Sequence, residues 1–264
     1  MTTNNPNNHP MKLDLSQKAA LVTGSSRGIG RAITVALAGA GAQVALHYNH
    51  NLSKAEETLS LLKGTSHILV QGNMVRPMDL VRMVDQTIEK LGKIDILVNN
   101  AGIYEEVDFL RMTYDAWQQA WKRTMDTNLT GVANLSFLVA NHMLEKGSGR
   151  IINISSRGAF RGEPTAFAYG ASKAGLNALG QSMAKALAPH NVLVFTVAPG
   201  WVDTDMAADG LMPPRGDEIR AQSPLNRVAR PEEIARLVTF LASEGNDYMT
   251  GCIVDINGAS YLRT

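Results

Sequence analysis

Short apolar runs punctuate the chain at residues 19–23, 43–48, 67–71, 94–99, 150–155, 192–197 and 252–256. Most are rich in Val and Ile and lack strict polar alternation, the pattern of strands covered on both faces. Between them, residues 31–40, 78–91, 117–144, 171–187 and 231–242 carry apolar positions at helical spacing. Strand and helix alternating this often predict an α/β protein. The expected architecture is a single doubly wound domain, with a seven-stranded parallel sheet and helices on both faces. Residues 1–12 are polar and Asn-rich, with little to bury, and are expected to form a flexible tail ahead of a domain spanning 13–264. One long irregular stretch, residues 200–227, interrupts the alternation and is expected to be a loop acting as a substrate lid.

Composition narrows the function. Of 264 residues, 45% are hydrophobic and 19% charged, which fits a globular protein with a sizeable core. Lys and Arg number 25 against 24 Asp and Glu, a net charge of +1. That balance provides no general attraction for nucleic acid or an anionic membrane, and neither partner is expected. Cys252 is the only cysteine, so an intrachain disulfide and a Cys-rich metal site are both excluded. No apolar run approaches the ~20 residues that span a bilayer. The first ten residues lack the basic start and apolar stretch of a signal peptide, so a reducing, cytoplasmic setting is expected.

The first predicted strand runs into Thr23-Gly-Ser-Ser-Arg-Gly-Ile-Gly30 and then a helical pattern. Glycines at 24, 28 and 30 permit a tight turn and close approach to bare backbone. The following helix offers unpaired N–H groups to a pyrophosphate. This is the arrangement of a Rossmann dinucleotide site. In NAD sites an acidic residue about 20 positions further on accepts from the adenosine ribose 2′-OH. Here no acidic residue occurs between Gly24 and Glu56; Tyr48 and Asn49 stand at the end of the second strand, and Arg27 lies in the glycine loop. A guanidinium without a carboxylate suits a 2′-phosphate, so NADP(H) is expected in preference to NAD(H), which stays possible.

Tyr169 and Lys173 stand four apart, on one face of a predicted helix. A phenol is a poor acid or base at neutral pH, and a neighbouring ammonium favours its phenolate. Ser156 follows the fifth apolar run, Asn99-Asn-Ala-Gly102 ends the fourth, Asn128 lies in Thr127-Asn-Leu-Thr-Gly131, and Pro199-Gly200 follows the sixth. With these motifs in this order over roughly residues 14–260, the sequence resembles the classical short-chain dehydrogenase/reductase family, most of all its 3-oxoacyl-[acyl-carrier-protein] reductase type.

The resemblance implies an enzyme that moves a hydride between a nicotinamide cofactor and a carbonyl or secondary alcohol. It implies Tyr169 as general acid/base, Ser156 as the hydroxyl orienting the carbonyl, and Lys173 as the group that holds the nicotinamide ribose and lowers the Tyr169 pKa. Asn128 would hold a water in a proton relay. Gly24, Ser26, Arg27, Gly28, Ile29, Gly30, Tyr48, Asn49, Asn73, Met74, Asn100, Ala101, Gly102, Tyr169, Lys173, Pro199, Gly200, Val202 and Thr204 would bind the cofactor. The residue after the third strand, often acidic in the family, is Asn73 here. Two tryptophans, Trp117 and Trp121, precede Asn128 where family spacing accommodates one, implying about one extra helical turn. Substrate-pocket walls are expected from residues 158–164 and 200–227, with Met206, Leu211 and Met212 apolar and Arg157, Arg161 and Arg215 basic. The family also implies a homotetramer, for which Ala171, Ala174, Ala178 and residues 184–188 offer a small-residue helix surface. Competing readings are a sugar or other small ketone dehydrogenase, an epimerase or dehydratase of the extended branch, and a catalytically silent dinucleotide sensor.

Overall fold

A computed structural model describes residues 13–263, and the expected tail at 1–12 lies outside them. Seven strands form one parallel sheet in the order β3-β2-β1-β4-β5-β6-β7. They are β1 (Ala19–Val22), β2 (Gln43–Tyr48), β3 (Ile68–Gln71), β4 (Ile96–Asn99), β5 (Gly149–Ile154), β6 (Val192–Pro199) and β7 (Ile253–Ile256). Alternate residues of β1 explain why the apolar runs lack polar alternation. Ala20 and Val22 pack into one core with Ile33, Leu37, Ile234 and Val238. Ala19 and Leu21 pack into the other with Leu80, Met83, Leu135 and Leu176. Both faces are covered, so neither can be polar.

The first core is closed by α1 (Gly28–Gly39) and α9 (Pro231–Ala242), the second by α3 (Pro77–Leu91), α5 (Gly131–Lys146) and α7 (Phe167–Leu187), with the single turn α6 (Gly158–Arg161) between β5 and α7. The order reverses between β1 and β4, and ligands of such sheets bind where the carboxyl ends of the strands diverge. The Gly24–Gly30 loop, the Asn99–Gly102 turn, Ser156 and Pro199-Gly200 all lie at that edge.

Three departures from the sequence reading have local causes. Helix α2 (Leu52–Ser60) went undetected because only Ala55 and Thr58 are buried; the Asn51 side chain caps it by accepting from Lys54 N at 2.9 Å. The stretch expected at 117–144 runs from Tyr114 to Lys146, as α4 (Tyr114–Met125), a π-turn (Asp126–Thr130) and α5. Residues 200–227 are not wholly irregular. They contain a 3₁₀ turn (Asp209–Leu211) and helix α8 (Arg215–Ala221), too short to show a periodicity.

Candidate active site

Every residue expected to bind cofactor lines one cleft at the carboxyl edge of the sheet, and so does Ser156. Asn128 sits behind the cleft wall, fully buried.

The glycine loop is shaped by contacts that tolerate no side chain. A Cβ at Gly30 would lie 2.1 Å from Gly24 O and 2.5 Å from the Asn100 amide nitrogen. Gly24 and Gly28 adopt positive φ, at 65° and 54°. Asn100 Nδ2 donates to Thr23 O and Gly24 O at 2.9 and 3.0 Å, so its amide braces the loop from the β4 side. From the β2 side the brace is His47, which the sequence reading missed. Gly24 N donates to His47 Nδ1 at 3.0 Å, and the opposite ring nitrogen, Nε2, donates to Gly72 O at 2.9 Å. These partners require the neutral ring with its proton on Nε2.

Burial lowers the His47 pKa to about 4, whereas in an unfolded chain it titrates near 6.5. Between those values the unfolded chain binds a proton that the folded chain refuses, so stability falls as pH drops through the window. The loss amounts to about 3 kcal/mol at most. A His47→Asn variant is expected to show a flatter dependence in urea unfolding at pH 7 and pH 4.5. A dependence as steep as wild type would assign the loss to other groups.

At the adenosine end, Arg27 is exposed and its side chain has no partner among the described residues; it borders the cleft together with Tyr48, Asn49, His50 and Lys54. No acidic side chain lines that end. Lys54, which stands 3.4 Å from Glu57, adds to the cationic character that the sequence reading assigned to Arg27 alone. Asn73 uses its side-chain oxygen locally, accepting from Val75 N at 3.1 Å, while its own N–H donates to Asp79 Oδ2 at 2.9 Å.

At the other end, α7 brings Tyr169 and Lys173 to one face. Lys173 Nζ donates to Ile154 O at 2.8 Å and stands 5.7 Å from the centre of the Tyr169 ring. Burial pushes the Lys173 amine down to about 8. The expected lowering of the Tyr169 pKa is not what the structure gives. Burial pushes the phenol up to about 12, with the Ser156 hydroxyl acting in the opposite direction and Glu163 and Tyr104 reinforcing the rise. The physical reason is position: the ammonium lies over the ring and against the Ile154 carbonyl rather than beside the phenol oxygen. Ser156 Oγ accepts from Gly158 N at 3.0 Å, which leaves its proton free to donate.

The π-turn places Asn128. An insertion of this kind shifts the facing of a helix by one residue and recurs at functional sites. Asn128 Oδ1 accepts from Ile103 N at 2.8 Å, and Nδ2 donates to Ile103 O at 2.9 Å and to Ser172 Oγ at 3.3 Å. Both polar atoms of the side chain are thus committed to fixing the strand exit. A Cβ on Gly102 would come within 3.3 Å of Asn128 Oδ1, a tight contact, and 3.5 Å of Lys173 Nζ, an ordinary one, so this position borders both groups.

The substrate end of the cleft is walled by Tyr104, Arg157, Glu163, Trp201 and Met206. Leu211, Met212, Arg161 and Arg215, also expected to form walls, do not line it: the short helices within residues 200–227 carry the first two elsewhere, Arg161 donates to Gln222, and Arg215 is held by Glu106. The Tyr104 ring meets that of Tyr169 edge-on at 5.0 Å. Arg215 on α8 pairs with Glu106 and ties the 200–227 segment to the loop after β4.

A family model described as enoyl-(acyl carrier protein) reductase matches residues 24–259. The 3-oxoacyl-[acyl-carrier-protein] reductase FabG of Staphylococcus epidermidis is 38% identical over 247 residues, 93% of this chain and 99% of that protein. The enzyme of the same name from Aquifex aeolicus is 38% identical over 253 residues, covering 95% and 100%. Among solved structures, a short-chain type dehydrogenase/reductase from Mycobacterium marinum is similar with a TM-score of 0.85 and 34% identity, covering 94% of this chain and 97% of that one. A putative gluconate dehydrogenase from Agrobacterium tumefaciens is similar with a TM-score of 0.88 and 29% identity, covering 95% and 98%.

Proposed function

This chain belongs to the short-chain dehydrogenase/reductase family, and on that premise we propose that it is an NADP(H)-preferring enzyme with Tyr169, Ser156, Lys173 and Asn128 as its working residues. The class of reaction is oxidoreduction at a carbonyl or secondary alcohol. The observation that carries the finer reading is the convergence of Tyr169, Ser156 and Lys173 in one cleft with a glycine loop in which Gly30 has no room for a Cβ.

The bare backbone at Gly24–Gly30 and the cationic end formed by Arg27 and Lys54 fit a dinucleotide carrying a 2′-phosphate. When bound, the nicotinamide supplies or accepts the hydride. Ser156 donates a hydrogen bond to the substrate oxygen, and Tyr169 exchanges a proton with it. Two of the three Lys173 ammonium protons remain for the ribose hydroxyls once Ile154 O is satisfied. Asn128 holds the loop that begins at Ile103 and, in the family's relay, a water that feeds Lys173. Asn73 contributes to the adenine site through whatever its Asx turn leaves free.

The substrate by this reading is a carbonyl compound, with a 3-oxoacyl thioester the first candidate from the named relatives and a sugar or other small ketone the second. Fluorescence titration of NADPH and NADH is the direct test of cofactor choice. NADPH is expected to bind more tightly, and Arg27→Ala to narrow the gap by about tenfold, the worth of one charge-assisted hydrogen bond. Tighter binding of NADH would overturn the assignment.

Among the described residues no helix is long and apolar enough to cross a membrane, and a cytoplasmic setting is part of the proposal. So is a homotetramer. On α7, Ala171, Ala174 and Ala178 are exposed while Ala184 is buried. Exposure of the first three, and of Ala186 further along, supports a small-residue packing surface on this helix. Phe137 on α5 is a further exposed apolar side chain, at 65%. Light scattering at micromolar concentration is expected to give a multiple of the 28.5 kDa chain mass, and a monomer would refute this.

A further inference from the structure

One charged group at the substrate end is left unused by the hydride chemistry. Arg157 follows Ser156 directly and is 3% exposed. Its main chain is fixed by donation to Pro199 O at 2.9 Å. Its side chain donates once, from Nη2 to Gln222 Oε1 at 2.6 Å. Among the described residues no carboxylate comes within ion-pair distance of it, and Nε and Nη1 reach no protein acceptor. Those donors are not sealed away. Arg157 lines both the cleft that holds Ser156 and Tyr169 and a smaller cavity behind Trp201, bounded by Ile219, Ser223 and Asn257.

The surroundings lack the partner such a group needs. Arg161 Nη1 also donates to Gln222 Oε1, at 3.3 Å, so two guanidiniums share one neutral acceptor. A buried cation without a counter-charge is strongly unfavourable, and nearby like charge adds to the cost. Glu163 is the carboxylate whose field reaches Arg157, but it stays beyond ion-pair distance. It packs instead over Gly158, where an added Cβ would lie 2.7 Å from its Oε1. The neighbouring cations Arg215 and Arg227 are already paired, with Glu106 and Glu233.

We propose that Arg157, held in place by Gln222, is a specificity-determining residue that receives an anionic group of the substrate, a carboxylate or a phosphate. The planar fork of a guanidinium matches both. The substrate class is then a small oxo acid, or a phosphorylated ketone, and the corresponding hydroxy compounds. The inference rests on the oxidoreductase reading for what is turned over, but not for what is bound.

The test compares NADPH oxidation with a 3-oxo acid, its methyl ester and a phosphorylated ketone of similar size, in wild type and Arg157→Met. Wild type is expected to favour an anionic member over the ester by about 10- to 100-fold in kcat/KM, chiefly through KM. Which anion is favoured separates carboxylate from phosphate. In Arg157→Met that ratio is expected to fall towards one. An acid-to-ester ratio near one in wild type, or an undiminished ratio in the variant, overturns the proposal. Should the variant fail to fold, thermal denaturation of NADPH-saturated wild type decides. Succinate is expected to raise the melting temperature where dimethyl succinate does not, and no difference between them rejects the site. Failure of every compound to turn over would count against the oxidoreductase reading instead, and the succinate arm would still judge the anion site.

Discussion

Tyr169→Phe is expected to lower kcat by about 10²- to 10⁴-fold, the usual worth of a positioned general acid, while NADPH affinity stays within a few-fold of wild type. The substitution removes one oxygen and its proton and keeps the ring that packs edge-on against Tyr104. Hydride arrival at a carbonyl carbon builds negative charge on its oxygen, and in the proposed reaction the phenol is the donor that neutralises it. A phenol raised to about 12 by burial is fully protonated at neutral pH, so in the absence of cofactor the group is poised to give a proton rather than to take one. Single-turnover absorbance of NADPH with a turned-over ketone reads the effect directly. A variant with near-normal turnover would place the acid elsewhere.

Lys173→Met is expected to lower turnover by about 10²-fold and weaken NADPH binding by about 10-fold or more, yet make the free protein more stable at pH 7. The sign follows from linkage. Burial lowers the amine to about 8, against a usual value near 10.5, so at pH 7 the folded chain carries a charge it disfavours. The unfolded chain binds the extra proton only between those two values. Wild-type stability therefore rises with pH from about 8 to 10.5, and the full penalty applies below 8. Methionine removes a penalty of up to about 3 kcal/mol but also the bond to Ile154 O, worth about 1.5–3 kcal/mol for a charged donor. The expected net gain is about 1 kcal/mol, read by urea unfolding at pH 7. A variant less stable than wild type at pH 7 would show that the bond outweighs the desolvation. The stability cost of this lysine and the catalytic use proposed for it have one source, its burial beneath the proposed cofactor site.

Much of this was legible in the sequence because the relevant signals were local. The seven strands appeared as apolar runs because both faces of a parallel sheet are buried. The glycine loop appeared because Gly30 sits where backbone and amide leave no space for a methyl group. What escaped depended on neighbours distant in sequence. His47 reads as one polar residue in an apolar strand, and only the fold brings Gly24 and Gly72 to its two nitrogens. Burial of the phenol and the lean of Lys173 towards Ile154 are likewise tertiary, which is why spacing alone put the Tyr169 pKa on the wrong side of its ordinary value. The π-turn at Asp126–Thr130 leaves no mark in hydrophobic periodicity.

The clamp that Asn128 places on residue 103 is made to main-chain atoms alone, one N–H and one C=O. It is therefore indifferent to which side chain occupies position 103, and it constrains position 104 only through the backbone that follows. Both side chains face the cleft. Ile103 can thus be exchanged and the cleft wall recut while the clamp keeps its register, whereas Tyr104, whose ring meets that of Tyr169, is tied to the site itself. A library built at position 103 is accordingly a low-risk way to retune what the enzyme accepts.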